Sequence, residues 1–164
     1  MACVLTIASI LPVFLLNRED GDTKIPLKFS KPLETTTVLR QDTVFFCDLH
    51  KHYCILKGID FVADNGQNVY AVMSGTVTEV NSTQLDEESG VEVVIENGEY
   101  KATFWSIYLE EGITVGSIIY AGDVIGTVGK HLPLKCQRLD EGSLHVEISK
   151  NGTNIDLTEL FEIE

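Results

Sequence analysis

The stretch "ITVGSIIYAGDVIGTVG", Ile113 to Gly129, sets glycines at 116, 122, 126 and 129 between pairs of β-branched residues. Val and Ile suit the pleated surface of a sheet, and glycine ends a strand or lets the chain reverse. The pattern reads as short strands joined by tight turns. Upstream, "VYAVMSGTVTEV" (Val69 to Val80) places Val69, Ala71, Met73 and Val77 in strand-like surroundings, with Gly75 as a kink or turn. "GVEVVIENGEYKATFW" follows, two β-rich runs around Asn97-Gly98, a strong hairpin signal because both residues tolerate positive φ. Downstream, "SLHVEISKNGTNID" adds a strand and another Asn-Gly turn at Asn151.

No segment after residue 20 keeps a 3.6-residue apolar period over three turns. The closing "LTELFEIE" is compatible with one helical turn or an edge strand. Many short strands with regular turn signals predict an all-β fold, an antiparallel sandwich or open barrel. "TQLDEESG", Thr83 to Gly90, is expected to be a solvated loop.

At 164 residues the chain has room for one domain with a real core. Its 44% hydrophobic and 23% charged residues are ordinary for a globular protein. A formal charge of -13, from 12 basic and 25 acidic side chains, opposes binding to a phosphate backbone, so no nucleic acid is expected as partner. The same charge disfavours an anionic membrane surface.

The N-terminus holds an apolar run from Ala2 to Leu16, shorter than the roughly 20 residues of a spanning helix. It reads as a signal or anchor candidate, although no Lys or Arg precedes it and no small-x-small cleavage site follows. The expected organisation is an apolar segment at 1–17, a linker and first strand at 18–38, and the β domain at 39–164. Such a leader implies a secreted or extracytoplasmic protein, with membrane contact only through this segment if it is retained. Export would favour a disulfide between Cys47 and Cys54, which bracket "DLHKHY". Asn81 and Asn151 head Asn-x-Thr/Ser sequons, which matter only in a eukaryotic secretory route.

The succession "GIDF…NVYAVMSGTV…ITVGSIIYAGDVIGTVG…SLHVEI…G…ID" resembles the lysostaphin/LytM-type zinc endopeptidases, which cleave glycine-containing cross-links of peptidoglycan. The resemblance runs from about Leu39 to Asp156 and implies the duplicated hybrid motif fold. It also extends to the leukocyte-derived chemotaxins, a secreted non-proteolytic branch. In this family a His, an Asp four residues later, and the second His of a His-x-His strand hold zinc, leaving a fourth position for water. Carried over, Asp60 matches the aspartate and His145 the strand histidine, while Leu56 takes the place of the first histidine. The other His of the His-x-His pair falls on Ser143. The histidine of the family's Tyr-x-His-Leu motif falls on Ser106 or Tyr108, depending on the register of "FWSIYL".

Imidazole is thus missing at Leu56, Ser143 and the Ser106/Tyr108 position. A hydroxyl with a pKa far above neutrality does not accept a proton near pH 7 as imidazole does. The resemblance therefore implies a pseudo-metallopeptidase without a cofactor, serving as a binding module for a protein or a peptide or glycopeptide ligand in the vestigial cleft. The alternative is a zinc endopeptidase with rearranged ligands, Asp60 and His145 joined by His50, His52 or His131, or by the Cys54 thiolate. A lipoyl- or phosphocarrier-like domain shares the glycine-rich phrases but lacks an acceptor: no Lys stands in a Met-Lys-Met setting. Phe104 and Trp105 read first as core strand residues and second as groove lining.

Overall fold

The computed structural model describes residues 24–47, 51–82, 90–129 and 142–163. The apolar segment, Cys3, His50, the Thr83–Ser89 run, His131 and Cys136 lie outside the described residues. Among the described residues ten strands and one short helix follow one another: β1 (Val38–Cys47), β2 (His52–Val62), β3 (Asn68–Tyr70), β4 (Gly75–Ser82), β5 (Val91–Asn97), β6 (Tyr100–Leu109), β7 (Ile118–Ile119), β8 (Val124–Val128), β9 (Ser143–Lys150), β10 (Thr153–Asn154) and α1 (Leu157–Phe161). All pairings are antiparallel, in one sheet ordered β1-β2-β9-β6-β5-β4-β7, with β10 on β9, β8 on β6 and β3 on β8. The all-β expectation holds. Among the described residues no helix is long and apolar enough to cross a membrane.

Alternation along the strands divides the two faces of the sheet. Ile59 and Phe61 on β2, Ala102 and Phe104 on β6, and Leu144, Val146 and Ile148 on β9 all enter the hydrophobic core. Asp60, Trp105, Ser143, His145 and Glu147 take the intervening positions and so face the other way. The turn signals place most reversals. Asn151 and Gly152 form a two-residue loop, both at positive φ, because Lys150 pairs with Thr153. The hairpin before β6 is shifted by one residue from the expected Asn97-Gly98 turn. Asn97 pairs with Tyr100, leaving Gly98 and Glu99 in the loop. Its side-chain amide instead donates to the carbonyls of Ile25 and Ser74.

The segment expected to be a linker with a first strand is neither within the described part. Residues 24–37 contain no strand beyond a single bridge from Phe29 to Met73, and the first strand starts at Val38. Pro26 and Pro32 remove two ladder donors there. Yet Leu33 is buried in the core, and Ser30, Lys28 and Pro32 exchange backbone hydrogen bonds with Val72, Ser74 and Tyr70. This stretch is therefore part of the domain. The closing residues form α1, whose N-cap is Asp156: its carboxylate accepts from the Thr158 backbone N–H at 2.8 Å.

Candidate functional site

Two bulges build the site. Between the Val93–Phe104 and Val91–Ile107 pairs, β6 advances one residue more than β5. The extra residue leaves Trp105 and Ser106 together between two core residues, Phe104 and Ile107, so both lie off the core face. Ser106 takes φ +66°, an uncommon conformation for a residue with a Cβ. On the neighbouring ribbon, β2 carries an extra residue against β1 between the Gln41–Ile59 and Thr43–Leu56 pairs. Gly58 sits there at φ +85°, and a Cβ would come within 2.4 Å of the Val146 carbonyl oxygen. Only glycine fits that approach. The Asp42 carboxylate accepts the Gly58 N–H at 3.2 Å and holds the bulge in place.

With the registers so set, four side chains fall in one row across four strands. Arg40 pairs with Asp60, Asp60 with His145, and His145 with Trp105. The Nδ1 of His145 lies 2.6 Å from Asp60 Oδ1, and its Nε2 lies 3.2 Å from Glu147 Oε1. Asp60 Oδ2 receives both Nε of Arg40 at 2.9 Å and an Nη at 2.8 Å. Asp60 and His145 are fully buried, while the Arg40 side chain keeps 30% exposure. The Trp105 indole stacks on the His145 ring, centroids 4.3 Å apart.

The electrostatics follow from these contacts. Burial pushes the His145 pKa down, but the hydrogen bonds to Asp60 and Glu147 and their charges outweigh it and hold the ring above 6.5. Carboxylates only accept, so when the ring is protonated each of its nitrogens donates to the carboxylate that it faces. Arg40, Asp60, His145 and Glu147 then form a charge-balanced ladder.

A zinc site does not fit this donor set. Two ligand atoms at 2.0–2.1 Å from a tetrahedral zinc lie about 3.3 Å apart. Here the two facing atoms are 2.6 Å apart, and the second oxygen is taken by a guanidinium. Among the described residues no group of three or more His, Cys, Asp or Glu could hold a metal ion.

The remaining expected residues fall as follows. Ser143 is buried on β9, two residues before His145 and on its face. Ser106 is buried beside Trp105, whereas Tyr108 is exposed and pairs with Thr127 on β8. The Ser106 Oγ and Trp105 Nε1 atoms are buried without hydrogen-bond partners. Leu56 lies on β2 opposite Thr43, with its side chain outside the described part. His52 is exposed at the far end of β2, eight residues from Asp60, and is not brought to the site. Cys54 carries a free thiol, correcting the expected bridge. The register sets Cys54 against Phe45 and Cys47 against His52, a diagonal beyond the usual reach of a disulfide.

Sequence reasoning missed Arg40 and Glu147. Glu147 was legible in principle, because a residue two beyond His145 on a strand shares its face. Arg40 left no local signal, since only a cross-strand register with one bulge aligns it with Asp60.

No curated protein matches this chain. Among solved structures it is similar to a chain of the SpoIIIAH and SpoIIQ complex, with a TM-score of 0.61 and 21% identity over 82% of this chain and 100% of that one. Lysostaphin in solution gives 0.59 and 17% identity over 77% of this chain and 50% of its own. A zinc containing peptidase from Vibrio cholerae gives 0.56 and 21% identity over 76% of this chain and 37% of its own. The chain thus spans half or less of the last two. These likenesses establish the fold. Residues 55–157 match Peptidase family M23, from within β2 to the start of α1. That match takes in well over half of the 164 residues, and this protein belongs to peptidase family M23.

Proposed function

We propose that this chain is a catalytically degenerate M23 domain that binds another protein rather than hydrolysing a peptide. The carrying observation is the commitment of Asp60 to Arg40 and His145, which leaves no open ligand pair for a metal-bound water. Leu56, Ser143 and Ser106 stand where the family's other histidines belong. The bulge favours Ser106 over Tyr108 for the third position, because Ser106 shares the face of Trp105 and His145.

Support for a protein partner comes from the β1–β2 ribbon. β2 pairs with β9 only over Ile59 to Val62, so the ribbon continues beyond the main sheet. On one of its faces Val44 pairs with Ile55 and Phe46 with Tyr53, and these four are 46–73% exposed. An exposed apolar face suits a protein surface better than a hydrated glycan. The similar SpoIIQ fold occurs in a complex with a second protein, SpoIIIAH. An extracytoplasmic home, with residues 1–17 as leader or anchor and the β domain beginning by Lys24, accords with this role.

The test is a zinc determination on purified protein together with an assay on glycine-bridged peptidoglycan. Metal-free, inactive protein supports the reading. Hydrolysis that a chelator abolishes and added zinc restores would overturn it.

A further inference from the structure

Asp60 is fully buried, and a buried carboxylate needs a counter-charge. In a zinc peptidase of this fold the metal supplies it. Here the charge arrives from β1, a strand lying outside the residues that match the family. We propose that Arg40 is a built-in cation that stands in for the metal: it neutralises Asp60, fixes it against His145, and closes the pair to divalent ions. The inference rests on the non-metal reading above and adds the residue that enforces it.

Three observations separate this role from that of a casual salt bridge on an edge strand. Both Nε and Nη of Arg40 converge on Oδ2, the oxygen that His145 leaves open. The β1 register is adjusted on each side of Arg40, by an extra residue at Leu39 and by the Gly58 bulge opposite. The Asp42 carboxylate then pins that second adjustment through the Gly58 N–H. Without these shifts the guanidinium would not lie in the row of Asp60 and His145. Restoring a histidine at position 56 alone therefore leaves Asp60 occupied, and metal binding requires the removal of Arg40 as well.

Zinc binding by equilibrium dialysis tests this on the wild type, Leu56→His, Arg40→Gln/Leu56→His, Arg40→Ala/Leu56→His and Arg40→Lys/Leu56→His, each checked for a cooperative melt. Wild type, Leu56→His and the lysine variant are expected to stay without stoichiometric zinc. The glutamine or alanine double variant is expected to approach one zinc per chain, at least tenfold tighter than Leu56→His. The glutamine variant keeps hydrogen-bond donors and carries the test if the alanine variant does not fold. Zinc held by Leu56→His as tightly as by the double variants overturns the role of Arg40, and so do folded double variants without zinc. Loss of folding in both, with the lysine variant still folded, supports the need for a cation at this position. Stoichiometric zinc in the wild type instead overturns the non-metal reading itself.

Discussion

Trp105 lies against His145 with ring planes 24° from parallel and centroids 4.3 Å apart. An indole face attracts a cation, and the contacts to Asp60 and Glu147 favour the protonated form of the His145 ring. The stack thus covers one face of the His145 ring. Trp105 is also the only tryptophan in the chain, so its emission reports directly on the site.

Imidazolium quenches indole fluorescence more strongly than neutral imidazole does. Emission is therefore expected to rise as pH passes upward through the His145 pKa, which lies above 6.5. A fluorescence titration checks this, with His145→Gln as a control that should remove the step. A midpoint below 6.5 would contradict the charge-balanced ladder.

Stability should follow the same proton. A histidine whose pKa is raised on folding contributes stability in full below its unfolded value, near 6.5, and loses it as pH rises through the folded value. Urea melts from pH 5.5 to 9 are expected to show that decline in the wild type. His145→Gln should flatten the alkaline limb, and an unchanged slope would assign the decline to another group.

Removing the centre of the ladder should be severe. Asp60→Ala leaves Arg40 and His145 without their shared acceptor in a fully buried position, an expected loss of about 3–5 kcal/mol. Chemical denaturation measures it. A loss under about 1 kcal/mol would mean that the ladder contributes little more than an exposed ion pair.

Gly58→Ala should be nearly as harmful for a different reason. The new methyl would strike the Val146 carbonyl in a backbone conformation unfavourable for alanine, at an expected loss of at least about 2 kcal/mol. Thermal and urea melts would show it, together with a weakened β2–β9 register in amide exchange around Asp60.

On the ribbon, serine at both Phe46 and Tyr53 should lower binding of a hydrophobic dye with little change in the melting midpoint. Both side chains are largely exposed and pack edge to face on each other, at 5.3 Å between centroids. Unchanged dye binding would mean that this face is not the accessible apolar surface of the protein.

Much of this architecture was written locally. The Asn151-Gly152 turn, the glycine-spaced strands from Ile113 to Gly129 and the alternation of Leu144, Val146 and Ile148 all depend on residues within a few positions of each other. Local φ preference and burial on one face suffice to place them. The site divides differently. Asp60 and His145 were legible as a pair, whereas the lost bridge between Cys47 and Cys54 turned on a strand register that spacing does not reveal.

By itself, the sequence determined the all-β character of the chain and the absence of imidazole at Leu56, at Ser143 and at whichever of Ser106 and Tyr108 takes the third position, because residue type and period are local properties. Only the tertiary structure decided what became of the two survivors. Bulges near Leu39 and Gly58 shift β1 against β2 by single residues and set Arg40 opposite Asp60, while the unshifted β2–β9 and β9–β6 pairings add His145 and Trp105 to the same row. A one-residue slip changes every partner across a sheet, so the identity of Asp60's counter-charge is a property of the fold rather than of any motif.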